Sequence, residues 1–129
     1  MIRDFTPQAV VLASMFVLVT ATVLPLQPAF GEGGARRDVI RAEEQHRQEA
    51  VELATDAVVH GKQGHADALV TNAEAALQSA LKAGETPHVD AGISELKQAI
   101  EHGKAGHADV ATKHAEQAVA HLSAQYRSR

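Results

Sequence analysis

Eight histidines and no cysteine among 129 residues confine any metal chemistry to imidazole, carboxylate, backbone and water ligands. The histidines are His46, His60, His65, His88, His102, His107, His114 and His121, with gaps of 14, 5, 23, 14, 5, 7 and 7. Multiples of seven return side chains to one helix face. Seven residues also rise by about 10 Å, whereas metal–nitrogen bonds are about 2 Å long. His107, His114 and His121 therefore cannot share one ion along a single helix. The usual intrahelical clamp, His at i and i+4, is missing from the chain. A site with two imidazoles must bridge two helices or span a turn.

Four helices can supply that geometry. The first is expected from about Arg36 to His60, with Gly61 as the residue just past its end, and the second from near His65 to Ala83, ending at Gly84. Thr86-Pro87 gives a capping hydroxyl and a proline at the first helical position, so a third helix is expected to His102, closed by Gly103. The fourth is expected from His107 to about Gln125. Apolar residues recur three and four apart, as in Ala108, Ala111, Ala115, Ala118 and Leu122. Each helix can bury one stripe only, which predicts an all-α, antiparallel up-down-up-down four-helix bundle. An Ala-rich chain with three Phe, one Tyr and no Trp suits close helix packing better than a sheet.

The bundle is expected to consist of two duplicated hairpins, about 36–84 and 85–125. A shift of 42 residues lays His46 on His88, His60 on His102 and His65 on His107. His60-Gly61-Lys62-Gln63-Gly64-His65-Ala66-Asp67 then matches His102-Gly103-Lys104-Ala105-Gly106-His107-Ala108-Asp109 at every position but one. Turn formation explains both glycines of each copy, but not the histidine on either side.

Folding the second hairpin about Lys104-Ala105 sets His102 opposite His107, His114 opposite Glu95 and His88 opposite His121. In the first hairpin His60 faces His65, His46 faces Ser79, and Asn72 faces Leu53. Asp56, four residues before His60, and Glu43 and Glu49, three residues either side of His46, can add carboxylates. The candidate ligands are thus His60, His65, His102, His107, His114, His121, His88 and His46, with Asp56 and Glu95. Imidazole with carboxylate and water suits copper(II), nickel(II) or zinc(II), and the affinity order places copper(II) first. Each position also has a purely structural reading. His60 and His102 end helices, where a protonated ring is favoured by the dipole, and Asp67 and Asp109 lie in first turns, where carboxylates cap amides. Lys62 and Lys104 read as solvated turn residues.

The Gly-Lys-x-Gly turn between histidines, followed by Val110 to Leu122 with His114 and His121, resembles the bacterial small metal-binding protein family. The likeness covers roughly His46 to Leu122. It implies a periplasmic four-helix bundle that binds several divalent metals, copper(II) foremost, for storage, buffering or delivery. The matched positions are His60, His65, His102, His107, His114 and His121. The family is denser in histidine. Here Asn72 and Ser79 stand where the second hairpin has His114 and His121, which implies fewer ions, concentrated in that hairpin. Arg36, Arg37 and Arg41 have no counterpart.

Other functions are less well served. A net charge of −4, with no basic stripe, speaks against nucleic acid. A di-iron carboxylate enzyme needs two Glu-x-x-His motifs, and only Glu43-Glu44-Gln45-His46 fits; no catalysis is expected. The rival is a helical interaction module of the cell envelope with incidental surface histidines. Residues 1–31 read as a signal peptide: Ala9 to Leu26 is uncharged and apolar, and Ala29-Phe30-Gly31 puts small residues before a cleavage point. The alternative is an uncleaved anchor. Either way residues 32–129 are expected outside the cytoplasm, with no membrane contact of their own once the segment is cut.

Overall fold

A computed structural model describes residues 33–124, all of them in helices or the turns between them. The helices are α1 (Gly33–Lys62), α2 (Ala66–Ala80), α3 (Pro87–Lys104) and α4 (Ala108–Ala124). Each packs on the next in chain order, α1 closes the ring against α4, and α2 touches α4 across the diagonal. This is the expected antiparallel bundle of two hairpins. The proposed export segment lies outside the described residues, and no described helix is long and apolar enough to cross a membrane.

The buried stripe has the three-and-four spacing of the sequence. It comprises Ala50, Ala54 and Ala57 on α1; Leu69, Ala73, Ala76 and Ala80 on α2; Val89, Leu96 and Ala99 on α3; and Ala111, Ala115, Ala118 and Leu122 on α4. Bulk is shared between the repeats. Under the 42-residue shift Ala54 matches Leu96, Leu69 matches Ala111, and Ala80 matches Leu122. Wherever one copy places leucine at these layers the other places alanine, and Leu69, Leu96 and Leu122 are fully buried. Each such leucine contributes about 1.5–3 kcal/mol by leaving water, while the facing alanines let the helices approach closely enough to leave little void.

Glycines permit the closest crossings. A Cβ on Gly92 would come within 2.7 Å of Leu122, one on Gly61 within 2.6 Å of Leu69, and one on Gly103 within 2.5 Å of Val70. This corrects the expected role of Gly61 and Gly103. Both are buried inside their helices, one residue before the end. The residues past the ends are Gly64 and Gly106, at φ +76° and +81°, where a side chain would be strained. Both helices therefore run two residues beyond His60 and His102. The second helix stops three residues early, at Ala80, and Gly84 takes a positive φ of 80° in the loop that follows. Thr86 caps α3 as expected, accepting from the Val89 amide.

Two features break the repeat. Arg47 occupies the position of core Val89 and is only 3% exposed; its guanidinium pairs with Glu44 and donates to the Leu122 carbonyl at 2.5 Å. It thereby ties α1 to the last described turn of α4. Second, α1 begins at Gly33, and its first buried residue is Arg47. The helix thus extends nearly four turns ahead of its first buried residue, with Arg36, Arg37 and Arg41 exposed along it.

Candidate metal centre

The backbone of each hairpin turn brings its two histidines together. The His65 amide donates to the His60 carbonyl at 3.0 Å, and the Gly64 amide to the Gly61 carbonyl at 3.0 Å; His107 to His102 (2.9 Å) and Gly106 to Gly103 (3.0 Å) repeat the pattern. This pair of bonds is the Schellman ending of a helix, in which the side chains three residues before the cap and two after it are drawn into contact. Those positions usually hold apolar residues. Here they hold imidazoles, with ring centroids 6.3 Å apart for His60 and His65 and 6.1 Å for His102 and His107. The glycine with positive φ is what allows the geometry, so the turn motif positions the donors directly.

In the second hairpin the cluster is larger. His114 stacks on His102 with centroids 5.3 Å apart and planes within 3°. Opposition by residue number missed this contact because helical side chains lean toward their own N-termini. His102, on the strand of helix running into the turn, leans away from it. His114, on the helix leaving the turn, leans back toward it. His102 is thereby placed between His107 and His114, and what looked like two separate levels becomes one group.

The expected opposition of His114 and Glu95 is present. His114 Nδ1 lies 2.7 Å from a Glu95 oxygen, with the side chains 22% and 18% exposed. With its nitrogen toward the carboxylate, the Gln117 amide donates to both Glu95 oxygens at 3.2 Å. Glu95 and His102 on α3, and His114 and His121 on α4, each directly precede a buried residue: Leu96, Gly103, Ala115 and Leu122. They follow the rim of the α3–α4 seam, half-buried and within reach of solvent.

The remaining candidates are more scattered. His88 is exposed and His121 half-buried, and among the described residues no ring contact or hydrogen bond joins them. His46 meets Glu49 at 3.6 Å, whereas Glu43 packs against Gly84 in the α2–α3 loop. Ser79, expected opposite His46, is buried in the core. Asp56 is exposed, and no described hydrogen bond or ion pair links it to His60. Lys62 and Lys104 are not merely solvated: Lys62 pairs with Glu116 at 2.9 Å and Lys104 with Glu74 at 2.6 Å. These two symmetric bridges tie each turn to the opposite hairpin. The duplication held the clue, since both lysines and both glutamates are copied at the 42-residue shift.

The first hairpin has a thinner donor set. Leu53 stands in place of Glu95, and Asn72 in place of His114, its amide donating to the Ala68 carbonyl of its own helix at 3.1 Å. His60 Nδ1 is buried, and among the described residues it has no hydrogen-bond partner. An orphaned imidazole nitrogen beside a second imidazole suits a bound cation, as do the nitrogen and oxygen donors of the second hairpin. Among the described residues no three histidine or carboxylate side chains already converge on a single point. The donors are paired and neighbouring.

A family model described as small metal-binding protein matches residues 12–125. No curated protein matches the chain.

Proposed function

The chain belongs to the small metal-binding protein family, and from that premise we propose that it takes up divalent transition-metal ions outside the cytoplasm, copper(II) ahead of nickel(II) and zinc(II). The primary site is in the second hairpin, with His102 and His114 as the central imidazoles, His107 alongside and Glu95 behind. The His60–His65 pair forms a second, weaker site. His46, His88, His121 and Asp56 are peripheral donors that can join when ions are in excess. The observation that carries this reading is the contact of His102 with both His107 and His114, in a chain whose only strong metal donors are imidazole and carboxylate.

The chemistry supports an exchangeable reservoir. Imidazole and carboxylate rank copper(II) above nickel(II) and zinc(II), and the lack of thiolate disfavours copper(I). Donors on the rim of the seam keep part of the coordination sphere open to water, so ions can enter and leave without unfolding the bundle. The core does not use the histidine series, which lets the bundle form first and bind afterwards. Ligation requires neutral imidazole, so protons compete with the ions for the same nitrogens. A reservoir for buffering, storage or delivery in the cell envelope fits these properties.

Calorimetric titration with copper(II) at neutral pH and tens of micromolar protein tests the proposal. Uptake is expected, and His102→Ala with His107→Ala lowers the stoichiometry while the helical spectrum is retained. No uptake by the wild type would favour a helical interaction module, and an unchanged count in the double variant would remove the second-hairpin site.

A further inference from the structure

Glu95 was a candidate ligand in the sequence; its surroundings favour a different role. Its carboxylate lies 2.7 Å from His114 Nδ1, and with the Gln117 amide nitrogen turned toward it both its oxygens accept at 3.2 Å. A carboxylate at that distance acts as acceptor toward the ring, which puts the proton on Nδ1. The lone pair is then left on Nε2. Gln117 lies three residues after His114, on the same side of α4, so α4 holds the carboxylate through two side chains. His102, stacked on the other ring, is the nearest imidazole donor.

We propose that Glu95 is a positioning residue, holding His114 as its Nδ1–H tautomer so that Nε2 is the nitrogen offered to a divalent cation beside His102. The reading rests on the metal uptake of the preceding subsection, but the tautomer belongs to the metal-free protein and can be tested without an ion. A half-buried acceptor also limits rotation of the ring and raises its donor strength. The first hairpin lacks the device, having Leu53 at the matching position.

Nitrogen-15 NMR of the imidazoles of the metal-free full chain, at pH about 8 and above the ordinary imidazole range, reads the tautomer directly. Wild type is expected to show His114 protonated at Nδ1. Glu95→Gln, which keeps an acceptor oxygen, retains that tautomer; Glu95→Leu loses it and gives a mixture. Copper(II) titration of the same proteins is expected to show a loss of about 10–100-fold in Glu95→Leu, the range for removing a carboxylate behind a ligating histidine, and a smaller loss in Glu95→Gln. Far-ultraviolet circular dichroism checks that both variants keep the bundle. An Nδ1-deprotonated His114 in wild type would overturn the proposal. So would equal losses in the two variants accompanied by loss of an oxygen ligand from the copper(II) spectrum, because Glu95 would then be bound to the metal. If wild type took up no copper(II) yet His114 had the Nδ1–H tautomer, the positioning by Glu95 would stand and the metal reading would fail.

Discussion

The two hairpins have nearly the same turn and very different seams. Both end their first helix with a Schellman bond pair and a glycine at positive φ, and both place two imidazoles about 6 Å apart across it. Beyond the turn they diverge. The second hairpin continues with His114 and Glu95, the first with Asn72 and Leu53. The scaffold was copied whole while the donors along the seam were not, so backbone geometry and metal capacity are separable properties of this fold.

Exchanging residues between the hairpins tests that separation, and the largest effect is expected for His114→Asn. This change gives the second hairpin the residue that the first already has. His102 then keeps only its turn partner, and copper(II) affinity of the primary site falls on the order of a hundredfold, equivalent to about 2.7 kcal/mol. Isothermal titration against wild type reads the change. An affinity within threefold of wild type would mean that the turn pairs alone do the binding.

Packing should show no such asymmetry. Gly61→Ala forces a methyl against Thr112 and Leu69, and Gly103→Ala one against Val70; each is expected to destabilise by about 1–3 kcal/mol, the usual cost of overpacking. Urea denaturation should find the two losses within about 1 kcal/mol of each other. A loss confined to one hairpin would show that the repeats pack differently.

A gain of function comes next in size. Leu53→Glu combined with Asn72→His copies the second seam into the first hairpin, and its site is expected to tighten about tenfold, or about 1.4 kcal/mol. Leu53 is partly buried against the core, so some loss of melting temperature accompanies the gain. If metal affinity stays put, residues outside the seam set the difference between the hairpins.

The smallest effects belong to the bridges between hairpins. Lys62→Ala and Lys104→Ala each remove one exposed ion pair and should cost less than about 1 kcal/mol, with the difference shrinking in high salt. Thermal melts at two ionic strengths check both. A large loss in either would mark that lysine as part of more than a surface pair.

Much of this organisation is legible in the residues. Thr86-Pro87 marks the start of α3 because its chemistry is local, and the 42-residue repeat gives the hairpins because self-similarity needs no knowledge of packing. The His114–Glu95 opposition follows from antiparallel register alone. The stacking of His102 on His114 was hidden, since it depends on the lean of side chains along opposed helices and not on which residues face each other. Gly61 and Gly103 were read as helix stops because a glycine beside a turn serves that purpose often; their burial against a neighbouring helix is a tertiary fact. Arg47 could have been found, because the repeat aligns it with Val89 in a core stripe, where an arginine demands a buried acceptor.

Electron paramagnetic resonance of the first equivalent of copper(II), recorded on wild type, on His60→Ala with His65→Ala, and on His102→Ala with His114→Ala, tests the central inequality most directly. The first pair of changes is expected to leave the nitrogen hyperfine pattern as it is, and the second to abolish it or reduce the nitrogen count. The opposite outcome, with the signal surviving loss of His102 and His114 but not of His60 and His65, would contradict the assignment of the primary site to the second hairpin.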